Sequence, residues 1–368
     1  MEKSTNYLTL LKRAIASRSI IAEKNTAYRL VNGTPDGFPG LTLDRYGGHY
    51  QLQFFGPELL AFRAEIVAAI EDTLSPEFMV TKFRLDPSGE TLETPLMVVE
   101  IGSEENAATV VQEGDCLFHV NLLDTVNPGL FLDMRDGREE VQKRSCDRDI
   151  LNLFSYTCSF GVHARAGGAT LAVNVDISAK ILDKGRENYA LNGSEVLPGE
   201  FFRGNAREYL EWCAKKEKKF GGIVLDPPSF ARHKGTTFRI RDDLQGLVSL
   251  AASLLEPNGF LLVSSNYSGF SPKSIAEASL ATVRSYSSNA RLAWAHGQGS
   301  DFPGSGTMKE SCLSCAMISL AFGTLSINFD FVFFEFSPKS GAANSQTSRH
   351  FCFIAFEHGK SVKNVTLF

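Results

Sequence analysis

Two carboxylates stand where a ligand-binding α/β fold would need them. In "GIVLDPPSFARHKG" (Gly222–Gly235) an apolar run, Ile223 to Leu225, ends at Asp226 and is followed by Pro227 and Pro228. The pattern predicts that Asp226 emerges at the carboxyl end of a buried strand, where doubly wound sheets bind ligands. Two prolines fix the backbone and donate no N–H, so nearby carbonyls are free to accept from the edge of a flat polar ligand. Phe230 offers a stacking face. Arg232, His233, Lys234, Arg239 and Arg241 follow, either as a path for phosphates or as an ordinary solvated loop and helix start. Upstream, "VNVDIS" puts Asp176 at the tip of another strand, about 20 residues beyond the preceding strand's loop, where a carboxylate accepts from both ribose hydroxyls. Asp176 or Ser178 could instead cap the helix beginning at "AKILDKGREN".

Other chemistries lack their residues. The loop "FSYTCSFGVHARAGG" contains Gly161, Gly167 and Gly168 but no G-x-G-x-x-G and no Walker lysine, which argues against NAD and ATP. A nucleoside ligand without phosphates needs less glycine, and S-adenosylmethionine (SAM) is one. Cys312 and Cys315 form a lone C-x-x-C with no second pair, so no metal is expected. Seven scattered cysteines fit reduced thiols and a cytoplasmic location. A net charge of −5 gives no global basic field, so a nucleic-acid site must be a local patch. "KKEKK" (Lys215–Lys219) reads as a solvated face. The sequence has no charged-then-apolar leader and no apolar run near the roughly 18 residues of a membrane span.

The elements that must carry these residues divide the 368-residue chain. Residues 1–25 contain a helical segment, "YLTLLKRAIASR". Residues 26–113 read as a small α+β domain of order strand, strand, helix, strand, strand, expected to bind substrate. Residues 114–323 alternate short buried strands with helices, which predicts a doubly wound parallel sheet. Residues 324–368, crowded with phenylalanine, form an atypical tail outside that rhythm.

Five segments occur in order: "YRLVNGTPDGFPGLTLDRYGG", "GLFLDMRDGRE", "LNLFSYTCSFGV", "VDIS…RENYALNG" and "LDPPSFARHK". Over roughly residues 10 to 320 the chain resembles the SAM-dependent methyltransferases that modify bases of large-subunit ribosomal RNA. The resemblance implies a class I (Rossmann-like) seven-stranded methyltransferase domain behind a small α+β domain. The RNA-binding PUA domain that often precedes these two in the family has no counterpart in this sequence. It also implies site residues. Phe154, Ser155 and Tyr156 would lie beside the methionine part of SAM, Asp176 would hold the ribose, and Ile177 would lie against the adenine. Asn205 stands where the family usually has an aspartate near the adenine amino group, and its amide oxygen could still accept. Asp226, Pro227, Pro228 and Phe230 would present the acceptor base. Asp133 and Arg135, from the family's "FLDxR" segment, would shape the pocket or form a helix-capping ion pair. Arg232, Lys234 and Asn266 are the remaining expected substrate contacts.

Two departures bear on the reaction. Cys158 and Ser159 replace glycines of the family's "SYTGGF" loop, and Cys158 reads as a small buried residue rather than a nucleophile. Family members that methylate C5 of a pyrimidine need a cysteine in the strand after the DPP motif. Here that segment is "VSSNYSGFSP", with Ser265 and Tyr267 at the cysteine positions. The expected function is therefore direct in-line methylation of an RNA base, a guanine ring nitrogen favoured. The alternatives are a cytosine-C5 methyltransferase using another cysteine, or a non-catalytic RNA-binding factor with a degenerate SAM site. The expected partner is RNA, specifically large-subunit rRNA, with no membrane and with a homodimer left open.

Overall fold

The computed structural model describes residues 6–85, 91–125, 127–233, 236–304 and 313–320, all inside one compact unit, Met1–Ala321. The tail at 324–368, Lys234 and Cys312 lie outside the described residues. Helices α1 (Tyr7–Ser17) and α2 (Ser19–Ala22) lead into a sheet of β1 (Ala27–Asn32), β2 (Leu41–Tyr46), β3 (His49–Phe54), β4 (Phe78–Leu85) and β5 (Thr91–Ile101). Its spatial order is β1-β2-β3-β4-β5, and α3 (Arg63–Leu74) makes the crossover that the parallel β3–β4 pair requires. Three strands precede α3, where the sequence reading has two. The additional strand, β1, carries a register shift between Arg29 and Val31 that breaks the period-two pattern. A hairpin, β6 (Ala108–Glu113) and β7 (Cys116–Asn121), follows.

Beyond α4 (Arg135–Lys143) the chain alternates as expected. It runs through β8 (Asp149–Leu153), α5 (Ser159–Ala166), β9 (Leu171–Asp176), α6 (Ala179–Leu191), β10 (Phe201–Arg203), α7 (Ala206–Lys215) and β11 (Phe220–Leu225). A small hairpin, β12 (Phe230–His233) and β13 (Thr236–Arg239), comes next. Then follow α8 (Ile240–Ser253), β14 (Leu255–Ser265), α9 (Pro272–Arg284), β15 (Ala290–His296) and β16 (Ser314–Leu320). The seven-stranded sheet has the order β10-β9-β8-β11-β14-β16-β15. It is not parallel throughout: β16 runs antiparallel to both neighbours. The βα rhythm could not show this, because the direction of β16 is set by its pairing with β14 and β15 rather than by its own residue pattern.

Register does the positioning. Leu225 pairs with Leu153 on one side and Val263 on the other, and Leu153 pairs with Val175. The next residues of these strands (Phe154, Asp176, Asp226 and Ser264) therefore come out along one carboxyl edge. Each face of the sheet is packed. Leu151, Ile223 and Leu261 meet Leu210, Leu247 and Ile275 on one side. Ile150, Val224 and Leu262 meet Met134, Val141 and Phe160 on the other. Gly161 lets α5 approach β9 closely, since a Cβ there would sit 2.4 Å from the Asn174 side-chain oxygen and 2.6 Å from the Tyr189 hydroxyl. Its role is helix–sheet packing.

The seam between the two sheets is ionic. Asp301 is fully buried and pairs with Arg135 of α4. It also accepts from the Arg29 backbone N–H of β1 at 3.0 Å, and its carbonyl accepts from Arg18 at 3.0 Å. Arg18 in turn makes a two-pronged pair with Asp36 at 2.7 and 2.6 Å. Arg138 makes a similar pair with Glu113 at 2.6 and 2.7 Å. Burial pushes the Glu113 carboxyl up, but Arg138 and His163 outweigh it and hold the group down at about 2. Removing one member of a buried pair leaves an uncompensated charge, so Asp301→Ala should cost about 3–5 kcal/mol. Guanidinium unfolding midpoints would measure it, and a loss below about 1 kcal/mol, the range of a surface pair, would show the seam to be dispensable.

Candidate active site

At the aligned strand ends lies a cavity of about 420 Å³. Each strand end contributes to its wall: Phe154, Ser155 and Tyr156 after β8, Asp176 and Ile177 at β9, and Gly204 and Asn205 after β10. Asp226, Pro227 and Pro228 follow β11, Asn266 follows β14, and Asp133 approaches from the turn before α4. The structure thus brings eleven of the sequence-derived site residues onto one wall. It does not bring all of them there. Arg135 is committed to Asp301, and Phe230 is half exposed on β12 with Phe238 of β13 lining the cavity instead. Arg232 stands on β12 as well.

The loop between β8 and α5 is held in an unusual form. Phe154, Tyr156 and Cys158 have φ of 58°, 48° and 62°, the left-handed region that costs a side chain roughly 1–2 kcal/mol each. Asp176 over-determines that form. Its Oδ2 accepts from the Tyr156 N–H at 3.0 Å and its Oδ1 from the Ser178 N–H at 2.9 Å. The cap of α6 is Ser178, whose hydroxyl accepts from Ile181, so Asp176 is not spent as a cap. Each of its oxygens keeps a lone pair for a ligand hydroxyl. Burial raises its pKa in spite of the backbone donors.

Asn205 corrects an expectation. Its Oδ1 accepts from the N–H groups of Arg207 at 2.9 Å and Glu208 at 3.3 Å as the cap of α7. The oxygen is used up, and only the amide NH2 is left to face a ligand. Asn266 is fixed likewise, its Oδ1 accepting from the Ser229 hydroxyl at 2.6 Å.

The carboxylates opposite are desolvated. Burial pushes Asp226 up to about 6, the Asp133 charge adds to this, and a hydrogen bond from the Ser264 hydroxyl opposes it. Burial raises Asp133 too, against the pull of Arg138 and Arg29. Sequence reasoning assigned no role to Arg138 or Phe238, both in the wall. The spacing of Arg138 from Arg135 on the first turn of α4 is the one signal that offered itself.

Cys158 does not intrude. Its thiol is buried against Gly185 of α6, where an added Cβ would lie 2.4 Å from the sulfur, and burial pushes its pKa up. Burial likewise raises Cys116, Cys213 and Cys315. No described thiol is both activated and in the wall. Ser159 opens α5 at the cavity. Among the described residues no group of His, Cys, Asp and Glu could hold a metal, and no helix is long and apolar enough to cross a membrane.

The wall fits SAM: a carboxylate with open lone pairs for ribose, an apolar Ile177 for the adenine, and acidic groups for cationic atoms. The family model for S-adenosylmethionine-dependent methyltransferases matches residues 94–303. Curated relatives agree. The chain is 35% identical to ribosomal RNA large subunit methyltransferase I of Aeromonas salmonicida, over 70% of this chain and 65% of that protein. It is 30% identical to the enzyme of that name from Aliivibrio fischeri, over 74% of this chain and 71% of the other. The chain spans about two thirds of the length of these relatives. The crystal structure of SMU.776 complexed with SAH superposes with a TM-score of 0.75 at 24% identity, covering 87% of this chain and 83% of that one. The chain belongs to the SAM-dependent methyltransferase family, and SAM is its cofactor.

Two outcomes follow from this geometry. Asp176→Ala should weaken SAM binding roughly 10- to 100-fold by calorimetry, the worth of hydrogen bonds to a charged group; unchanged affinity would remove Asp176 from the site. Gly185→Ala should destabilise by about 1–3 kcal/mol through overpacking against the Cys158 sulfur. Adding Cys158→Gly should recover part of that loss in thermal melts, and strictly additive effects would refute the contact.

Proposed function

We propose that this chain methylates a base of large-subunit ribosomal RNA, with a guanine ring nitrogen as the acceptor. The carrying observation is the cavity wall at Asp226, Pro227, Pro228 and Asn266, which has polar groups for a base but no activated thiol among its described residues. The names of the curated relatives support the rRNA assignment, and that substrate implies a cytoplasmic site of action.

When bound, SAM supplies an electrophilic methyl group on a sulfonium. Asp176 accepts from the ribose hydroxyls, and the Asn205 NH2 donates to a ring nitrogen of the adenine. Asp226, ionised, accepts from the donor edge of guanine, and the Asn266 NH2 donates to an oxygen of the base. Phe238, rather than the exposed Phe230, offers the stacking ring inside the cavity. The opposite edge of guanine carries N7, whose lone pair needs no deprotonation and no covalent activation. The chain then has only to hold that nitrogen in line with the methyl carbon and exclude water. Cytosine C5 would need a thiolate, and the buried thiols with raised pKa disfavour it.

Two measurements test this. Nucleoside mass spectrometry of large-subunit rRNA from cells with and without the gene should show loss of one methylguanine; an unchanged profile refutes the rRNA reading, and loss of 5-methylcytosine refutes the guanine reading. For the pH dependence, a carboxylate raised to about 6 is protonated below that pH, loses its charge and one acceptor oxygen, and holds a donor edge more weakly. kcat/KM should therefore rise with pH through about 6, and Asp226→Asn should be weak and flat over that window. A wild-type profile flat from pH 5 to 7 would exclude ionised Asp226 from the reaction.

A further inference from the structure

A stripe of aromatic rings leads away from the cavity along the edge of the large sheet. Gly204 and Asn205 line the cavity, and Phe202, two residues before Gly204, is 44% exposed on the edge strand β10. Its ring lies 4.7 Å from that of Tyr209, which lies 5.4 Å from Trp212 on the same helix, α7. Trp212 is 41% exposed, a large exposure for its type. The Lys218 ammonium stands 4.9 Å from its ring centroid. Between Phe202 and Lys219 six residues are basic and three acidic, in a chain whose net charge is −5. Lys215, Lys216 and Lys218 are all exposed at the end of α7. The lysine run that the sequence reads as a plain solvated face is therefore attached to two partly exposed aromatic rings that begin beside the cavity.

Resting on the RNA reading above, we infer that Phe202, Trp212 and the lysines of 215–218 form a docking track for a single-stranded segment of the RNA substrate flanking the target base. Exposed rings followed by a cluster of cations suit bases and phosphates, whatever the base. A double-stranded segment would present no base face to the rings. In the free protein Lys218 covers Trp212. A base stacking on the indole displaces the ammonium onto a neighbouring phosphate, exchanging one cation–π contact for a stack and an ion pair.

The experiment uses the full chain, saturating SAH and a labelled ten-nucleotide single-stranded RNA. Anisotropy titrations should give roughly 5- to 100-fold weaker binding for Trp212→Ala and for Phe202→Ala. The Lys215→Gln, Lys216→Gln, Lys218→Gln triple variant should lower the slope of log affinity against log salt by about 0.7 for each phosphate no longer neutralised. SAM affinity should be unchanged in all three, which also reports their folding. Trp294→Phe leaves Trp212 as the single tryptophan, and its fluorescence should be quenched by RNA. If wild type binds RNA and these variants bind it equally well, or Trp212 is not quenched, the track is refuted while the RNA reading stands. If wild type binds SAM but no RNA, the RNA reading and the track fall together.

Discussion

One buried carboxylate joins the two halves of this molecule. Asp301 takes a guanidinium from α4, a backbone N–H from β1 and, through its carbonyl, the guanidinium of Arg18. Charges so buried are costly unless every partner is present, so the arrangement admits one relative position of the small sheet and the methyltransferase sheet. Arg135 and Asp133 lie in one turn before and into α4. Fixing the first to Asp301 sets the second in the cavity wall.

The same economy governs the cavity. Arg138 reaches the wall but gives its charge to Glu113 and a further Nη2 hydrogen to the Phe131 carbonyl at 2.7 Å. Asp133 and Asp226 are left desolvated beside a cation committed elsewhere. Such a site favours the arrival of positive or donor-rich groups, and both SAM and the donor edge of guanine qualify. Around it, the strained loop of Phe154, Tyr156 and Cys158 keeps its shape because Asp176 ties Tyr156 to the start of α6. A single aspartate thus builds the loop and keeps oxygen lone pairs for the ligand.

Much of this was legible in the residues. An apolar run, Ile223 to Leu225, closing on Asp-Pro-Pro, and the strand-like "LAVNV" closing on Asp-Ile-Ser, announce strand ends with acidic tips. Alternation with helical segments announces the sheet that lines them up. Short-range rules suffice there, because burial period, prolines and caps act within a few residues. The strand β1, with its bulge, and the antiparallel β16 escaped them, since one breaks the local pattern and the other depends on pairing with distant chain.

By itself the sequence determined the strand–helix rhythm, the acidic tips and the lack of a cysteine in "VSSNYS". Only the tertiary structure decided which polar atoms remain available. Asn205 spends its oxygen on α7, Arg135 is given to Asp301, Phe238 replaces Phe230 in the wall, and Lys218 rests on Trp212. Composition states which donors and acceptors a chain owns. Which of them are already satisfied depends on partners hundreds of residues away, brought within hydrogen-bond distance only by folding.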